Sequence, residues 1–172
     1  MIIWFTGLSG SGKTTLSKHL AEKLEDKDFS VFLVDGDTFR KNKKAKNTFT
    51  RKEILQNNYD IISHCKALTK KYDFIIVSVI SPFEKTRKKA RQVFKKDYLE
   101  IFVHCPHKEL IKRDTKNLYK KALAGEIDNL IGFSKKSPYE KPQSPDLKID
   151  TSKESITDSL KRITNLIDAK QR

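Results

Sequence analysis

The amino-acid sequence predicts an α/β fold, a doubly wound parallel sheet with helices on both faces. Short apolar runs without alternating polar residues occur between stretches in which apolar residues recur at helical spacing. Continuous apolar strands separated by helices are typical of a parallel sheet that is covered on both sides. The length of 172 residues suits one domain of about 100–200 residues. We therefore expect a single domain over residues 1–172.

The first half of the chain predicts three strands and two helices. Leu16, Leu20 and Leu24 are spaced four residues apart and mark one face of the first helix. The second helix is long, with regularly spaced isoleucines on the face that we expect to point inward. The predicted strands are Ile2–Phe5, Val31–Val34 and Phe74–Val77, and the second helix runs from Thr50 to Tyr72.

The second half predicts two further strands and a less regular region. A helix rich in Lys and Arg runs from Glu84 to Lys96, and a strand follows around Leu99–Val103. Between about residues 112 and 145 the chain has three of its five prolines and few apolar runs. We interpret this region as a helix followed by a mobile loop, because long excursions in compact domains are often lids. A last strand at Leu147–Ile149 precedes a C-terminal helix, with Ser152 as its predicted cap.

The chain is strongly basic, with 36 Lys and Arg against 22 Asp and Glu and a formal charge of +14. A basic stripe binds nucleic acid by neutralising phosphates. However, only seven of the basic residues are Arg, the residue whose planar fork makes specific phosphate and base contacts. We therefore favour a lysine-rich solvated surface that attracts small anionic metabolites and expect no nucleic-acid partner. A basic ATP-binding module acting on nucleic acid remains the alternative from another functional class.

Neither a membrane segment nor a metal cluster is predicted. No run approaches 18 apolar residues, and the first residues lack the basic region of a signal peptide. Two cysteines, Cys65 and Cys105, are too few for a disulfide framework, and the four histidines show no ligand spacing with them. We expect a cytoplasmic protein without a membrane partner.

The strongest motif follows the first predicted strand. Gly7-Leu8-Ser9-Gly10-Ser11-Gly12-Lys13-Thr14 fits the P-loop pattern G-x-x-x-x-G-K-[ST], and a helix pattern follows it. In such a loop the backbone N–H groups turn toward the β-phosphate at the helix N-terminus. We expect Lys13 to reach the β- and γ-phosphates of ATP and the Thr14 hydroxyl to bind Mg²⁺. Because the D-x-x-G and N-K-x-D motifs of GTPases are absent from the sequence, a kinase of a small molecule is favoured.

Charged and polar residues also follow the second and third predicted strands. Asp35 and Asp37 come directly after the second strand, at the edge where ligands bind in doubly wound sheets. A carboxylate there can accept the proton of an acceptor hydroxyl or hold Mg²⁺ through water, although a simple Asx turn is the alternative. The segment 78–83 suits a substrate-facing wall or an ordinary strand exit. Arg113 and Lys116 are candidates for neutralising phosphoryl charge, with a solvated surface lysine as the alternative for Lys116.

Taken in order, these motifs resemble adenylylsulfate kinases, which use ATP to phosphorylate the 3′-hydroxyl of adenosine 5′-phosphosulfate. The resemblance includes GLSGSGKTT at 7–15, DGD with Arg40, SVISPF at 78–83, RDTKNLYKKALAGEI at 113–127 and SPYEKPQSPDLKIDT at 137–151. It implies a P-loop nucleoside-triphosphate kinase fold with a mobile lid, ATP and Mg²⁺ as cofactors, a small nucleotide as acceptor, and a homodimer.

The resemblance also implies roles for individual residues. It makes Asp37 the base, assisted by Lys13, and it places Asp35 with Thr14 at Mg²⁺. It assigns ATP binding to Gly7, Ser9, Gly10, Ser11, Gly12, Lys13, Thr14, Thr15 and Arg113. It assigns acceptor binding to Asp37, Arg40, Phe49, Asn57, Ile80, Ser81, Lys116 and Leu130.

The departures from the family pattern concentrate on the acceptor side. The family pattern F-S-x-x-D-R-x-E-N-I-R-R-I has arginines where this chain has Ile54 and Tyr59. The family also has a second adenine-stacking aromatic residue, at the position where this chain has Leu130. Two extra residues, Lys135 and Lys136, follow. Losing a guanidinium removes a bidentate anion contact, and losing a ring removes about 1–3 kcal/mol of base stacking.

This profile resembles the cytidine diphosphoramidate kinase branch of the family, which acts in the biosynthesis of capsule phosphoramidate. The resemblance implies cytidine diphosphoramidate as the acceptor, and a pyrimidine would need a smaller clamp than adenine, consistent with Leu130. Adenylyl sulfate, the acceptor used in sulfate assimilation, is the alternative.

Overall fold

A computed structural model of the chain describes residues 1–41 and 49–171. Its sheet has the strand order β2-β3-β1-β4-β5, and every neighbouring pair is parallel. This arrangement confirms the predicted doubly wound sheet, and each of the five strands is one or two residues longer than predicted. The strands are β1 (Ile2–Thr6), β2 (Val31–Asp35), β3 (Phe74–Ser78), β4 (Tyr98–His104) and β5 (Leu147–Asp150).

Helices connect the strands, and a short 3₁₀ turn at Lys95–Asp97 precedes β4. The long helix predicted from Thr50 to Tyr72 begins one residue later, because the Thr50 hydroxyl caps it by accepting the N–H of Glu53 at 3.3 Å. It ends at Leu68, four residues before the predicted end. The helices are α1 (Lys13–Glu25), α2 (Gly36–Lys41), α3 (Arg51–Leu68), α4 (Glu84–Phe94), α5 (His107–Arg113), α6 (Leu118–Leu123) and α7 (Ile156–Gln171).

The sheet separates two apolar cores. Ile3 and Phe5 of β1 face α1 and α7, while Ile2 and Trp4 face α3 and α4. Both faces of β1 are therefore fully buried, which explains why its sequence is continuously apolar instead of alternating. The carboxyl ends of the central strands are left free to carry the site.

The predicted cap of the C-terminal helix is wrong. Asp150 accepts hydrogen bonds from the N–H of Ser152 at 3.1 Å and from its hydroxyl at 2.6 Å, so Ser152 lies in a turn after β5. Helix α7 begins only at Ile156, and the Ser155 hydroxyl accepts the N–H of Asp158 at 3.1 Å. Ser155 therefore fills the capping role, because it directly precedes the first residue of α7, whereas Ser152 lies in the preceding turn.

The region predicted as a helix and loop between residues 112 and 145 contains α6 followed by turns and irregular chain. Its later part is tied to the rest of the domain, since the N–H of Glu140 donates to the carbonyl of Pro82 at 2.8 Å. Movement of this region as a lid stays a prediction. None of the helices within the described ranges has the length and hydropathy needed to cross a bilayer.

Candidate active site

The loop between β1 and α1 has the backbone that a phosphate cradle requires. Gly10 and Gly12 have φ values of 75° and 98°, in the left-handed region that favours glycine. A Cβ on Gly7 would lie 2.3 Å from the carbonyl oxygen of Val103, so the loop packs against β4 at a distance that excludes a side chain. These glycines explain the spacing of the motif.

Lys13 is the first residue of α1, and its side chain is buried. Its Nζ donates to the carbonyl of Leu8 at 2.8 Å. Burial, with the positive charge of Lys116, lowers the pKa of Lys13 to about 7, although Asp37 and Asp35 oppose the shift. A poorly solvated ammonium at this position favours an anionic ligand, because a negative charge restores the stability of its protonated form.

A cavity of about 740 Å³ adjoins this loop, a volume within the range of small-molecule sites, about 300–1,000 Å³. The cavity brings together most of the residues predicted to bind ATP and most of those predicted to bind the acceptor. Of the predicted site residues, all of which the structure describes, Gly7, Ser11 and Arg113 lie outside the cavity lining. The lining includes Ser9, Gly10, Gly12, Lys13, Thr14, Thr15, Asp35, Asp37, Arg40, Phe49, Asn57, Ile80, Ser81, Lys116 and Leu130.

Asp35 is both a cap and a cavity residue. Its Oδ1 accepts the N–H groups of Asp37 at 3.1 Å and Thr38 at 3.0 Å, which fixes the start of α2. The Asx turn considered from the sequence as the alternative for this segment is therefore present. This turn places Asp37 in the first turn of α2, where it lines the cavity.

Asp37 is paired with a cation from a distant part of the sequence, since Nζ of Lys116 donates a hydrogen bond to its Oδ2. Burial alone would raise the pKa of Asp37. The hydrogen bond and charge of Lys116, together with the charges of Arg40 and Lys13, reverse this and hold the pKa below its usual value. Asp37 is consequently ionised at neutral pH, the state that a proton acceptor requires.

Arg113 contacts the P-loop indirectly. Its guanidinium donates to the Thr151 hydroxyl at 3.0 Å and to the Thr151 carbonyl at 2.7 Å. The Thr151 hydroxyl in turn donates to the carbonyl of Ser11 at 2.9 Å. Arg113 thus supports the loop through Thr151, and its direct contact with ATP stays a prediction.

The part of the cavity predicted to bind the acceptor combines an aromatic face with apolar walls. The Arg40 guanidinium lies 4.6 Å from the centre of the Phe49 ring, a cation–π arrangement. Ile54, which stands where the family pattern has an arginine, packs in a buried cluster with Phe83 and Ile131. Leu130 is buried in a neighbouring apolar cluster. The structure therefore surrounds position 54 with apolar side chains.

Two contributors to the site were not predicted from the sequence, and the first is Arg87. Ser81 adopts a left-handed backbone with φ 46° although it is not glycine. The buried Arg87 holds this strained residue by donating to the Ser81 carbonyl at 2.6 Å, and it donates to the carbonyl of Glu140 at 2.6 Å as well. The pattern of α4 offered no signal, because Arg87 lies among solvated lysines in the sequence.

The second is Asn58, a buried residue on the cavity wall. Its amide nitrogen donates to the carbonyl of Ile54 at 2.8 Å, while its Oδ1 has no hydrogen-bond partner among the described residues. Its position four residues after Ile54 on the inward face of the helix was the only available signal. Asn58 therefore places a buried, unpaired acceptor oxygen within a residue that lines the cavity.

The residues around the phosphate loop fit ATP with Mg²⁺. The hydroxyl of Thr14 and the carboxylate of Asp35 are hard oxygen donors of the kind that Mg²⁺ takes, usually one or two alongside phosphate oxygens. Within residues 1–41 and 49–171, no group of three His, Cys, Asp or Glu could hold a metal ion on its own. Bound there, Mg·ATP supplies the phosphoryl group, while the chain supplies the cradle, the charges and a carboxylate.

The strand order, the P-loop and the cavity beyond the strand ends define the class of protein, a P-loop kinase of small molecules. The family model of adenylylsulphate kinase matches residues 1–150. The chain belongs to the adenylylsulphate kinase family, and it is therefore an ATP-dependent phosphotransferase with a hydroxyl acceptor.

Individual relatives are similar over most of their length. The adenylyl-sulfate kinase of Halothermothrix orenii is 38% identical over 168 residues, covering 98% of this chain and 89% of that protein. A probable adenylyl-sulfate kinase of Pyrococcus abyssi is 40% identical over 151 residues, covering 88% and 85%. The structure of the Mycobacterium tuberculosis APS kinase CysC in complex with AMPPNP and APS superposes with a TM-score of 0.87 at 32% identity, covering 97% and 96%.

Proposed function

We propose that this protein transfers the γ-phosphate of ATP to the ribose 3′-hydroxyl of a nucleotide acceptor. One observation carries the proposal: the P-loop Lys13 and the carboxylate of Asp37 line the same cavity. A kinase needs its phosphoryl donor and its acceptor hydroxyl in one enclosed space, in line with each other.

Asp37 is the proposed proton acceptor. Its pKa is held below the usual carboxyl value, chiefly by Lys116 once the opposing effect of burial is overcome. The acceptor hydroxyl would take the place of Lys116 at the carboxylate, and Lys116 would then be free to face the transferring phosphoryl group. Lys13 supplies a second positive charge against the charge on the phosphoryl oxygens.

Adenylyl sulfate is the acceptor that the relatives support. The similar proteins from Halothermothrix orenii and Pyrococcus abyssi carry the name adenylyl-sulfate kinase, the second as a probable one. The similar solved structure from Mycobacterium tuberculosis holds APS. Shared family membership over residues 1–150 makes the same acceptor the first proposal for this chain.

Cytidine diphosphoramidate, the acceptor favoured by the sequence, is the second candidate, and nothing in the named relatives supports it. What supports it is the acceptor side of the cavity. Ile54 is buried among apolar side chains at the position of a family arginine, and Leu130 replaces an aromatic ring. A smaller pyrimidine has less need of a second stacking ring than adenine has.

A coupled assay of ADP release tests the proposal and separates the two acceptors. Purified protein with Mg·ATP is given adenylyl sulfate or cytidine diphosphoramidate, with ATP alone as the blank and single-stranded RNA as the polyanion control. We expect acceptor-dependent ADP release with adenylyl sulfate. Release with cytidine diphosphoramidate alone would replace the first candidate by the second, and release with RNA alone would contradict both.

A further inference from the structure

The turn between α5 and α6 is fixed by its own hydrogen bonds. The Asp114 carboxylate accepts the N–H of Tyr119 at 3.1 Å and the N–H of Lys120 at 2.8 Å, which caps α6. Asp114 and Asn117 both have positive φ values, 20° and 55°, so the chain reverses tightly between them. Lys116 projects from this turn toward Asp37.

Tyr119 attaches this turn to the phosphate loop. Its side chain is only 1% exposed, and its hydroxyl donates to the carbonyl of Ser9 at 2.9 Å, across 110 positions in the sequence. The ring packs edge-on against Phe133, with centroids 5.6 Å apart. Burial raises the pKa of Tyr119 above its usual value, so the hydroxyl stays protonated and donates at any working pH.

We propose that Tyr119 is a positioning residue, whose hydroxyl bond to the phosphate loop holds the α5–α6 turn so that Lys116 reaches Asp37. The two contacts lie at the two ends of one short segment, residues 116–119. One end is attached to the loop that binds ATP, and the other reaches the carboxylate on the acceptor side. The turn thereby fixes the position of the ATP site relative to the base. The inference rests on the proposed function, in which Asp37 is the base.

A double-mutant cycle tests this role. Tyr119→Phe keeps the ring and removes the hydroxyl, so we expect kcat/KM to fall about threefold to tenfold, the usual range for one lost hydrogen bond. In a Lys116→Ala background the same change should cost less than about twofold, because no lysine remains to be positioned. Equal losses in both backgrounds, or no loss in the parent protein, would overturn the proposal.

Tyr98→Phe is the matched control. Tyr98 is also fully buried, but its hydroxyl has no hydrogen-bond partner among the described residues. Removing it changes the same atoms in the same kind of surroundings without touching the phosphate loop. We expect Tyr98→Phe to leave kcat/KM unchanged in either background, and a loss equal to that of Tyr119→Phe would overturn the assignment.

Hydrogen exchange provides a measurement that needs no acceptor. In Tyr119→Phe we expect the amides of residues 114–123 to exchange faster than in the parent protein, while those of β1, β3 and β4 keep their rates. Unchanged exchange over residues 114–123 would overturn the role of the hydrogen bond from Tyr119 to Ser9 in holding this turn. Faster exchange in a protein that phosphorylates neither nucleotide would support the contact and refute the proposed function, so the two failures are distinguishable.

Discussion

Lys116 donates a hydrogen bond to Asp37 across 79 positions of sequence, from the turn before α6 to the first turn of α2. This contact lies beside the buried Lys13, so a carboxylate and two lysines meet at one end of the cavity. The arrangement concentrates positive charge where the phosphates of ATP would lie. In the proposed reaction, this contact keeps Asp37 ionised until an acceptor hydroxyl takes the place of Lys116.

Asp37→Asn should reduce turnover while ATP binding stays nearly unchanged. The amide keeps the shape of the side chain but cannot accept a proton, so we expect kcat to fall by about 10²–10⁴-fold. Steady-state kinetics and binding of a fluorescent ATP analogue measure the two effects. Asp168→Asn, an exposed acid on α7 outside the cavity lining, is the matched control and should behave as the parent. Unchanged turnover in Asp37→Asn would remove this residue from the base role.

ATP binding should take up a proton at about pH 8. Burial and Lys116 lower the pKa of Lys13 to about 7, so its amine is mostly neutral at that pH in the free protein. Bound phosphates favour the charged form and raise the pKa again, which draws a proton from the buffer. Calorimetry in two buffers of different ionisation enthalpy measures this uptake.

The variants Lys13→Met and Lys23→Met complete that experiment. Lys23 is an exposed lysine on the same helix, so its replacement should leave the uptake intact. Lys13→Met should abolish it at saturating ATP. Proton uptake that persists in Lys13→Met would assign the titration to another group.

Arg87→Met should destabilise the fold by about 3–5 kcal/mol, because it removes the nearer of the two arginines that pair with the buried carboxylate of Glu100 and leaves only Arg91, at 3.6 Å. The Arg87 guanidinium lies 3.2 Å from that carboxylate and also binds two backbone carbonyls. Urea unfolding measures the loss of free energy. Lys88→Met on the same helix is the control, since this exposed side chain should change stability by less than about 0.5 kcal/mol. Equal effects of the two changes would contradict the account of Arg87.

Leu130→Phe should improve the use of an adenine-containing acceptor by restoring a ring to the cavity wall. Stacking of one base is worth about 1–3 kcal/mol, so we expect KM for adenylyl sulfate to fall by at least about fivefold. Leu123→Phe adds the same ring on an exposed position of α6 outside the cavity lining and serves as the control. No change in KM with Leu130→Phe would mean that the base is bound elsewhere.

Much of the fold followed from local sequence patterns. Continuous apolar runs identified β1, β2 and β3, interrupted apolar patterns identified β4 and β5, and the glycine spacing identified the phosphate loop. All of these signals depend on neighbouring residues. Ser152 was wrongly predicted as the cap because Ser152 and Ser155 both precede the same helix pattern. Only the turn in which Asp150 binds Ser152 distinguishes the two serines. That turn is a property of three-dimensional packing, which the serine positions alone do not reveal.

The supporting residues of the site were the least predictable part. Tyr119 reaches Ser9 over 110 positions, and Arg87 reaches Glu140 over 53. Such contacts depend on how helices pack over the sheet, and no short motif encodes them. Most of the motif residues line the cavity, whereas Tyr119 and Arg87 act by holding backbone carbonyls. Any sequence position with a long polar side chain is a candidate for that role.

The most direct test of the central claim compares an acceptor with its 3′-deoxy analogue. Purified protein with Mg·ATP is given adenylyl sulfate, cytidine diphosphoramidate or the 3′-deoxy form of each, and ADP release is followed with mass spectrometry of the product. We predict ADP release and a singly phosphorylated product with a 3′-hydroxyl acceptor, and neither with its 3′-deoxy analogue. Equal ADP release from an acceptor and its 3′-deoxy analogue, or none from either acceptor, would contradict the proposed reaction.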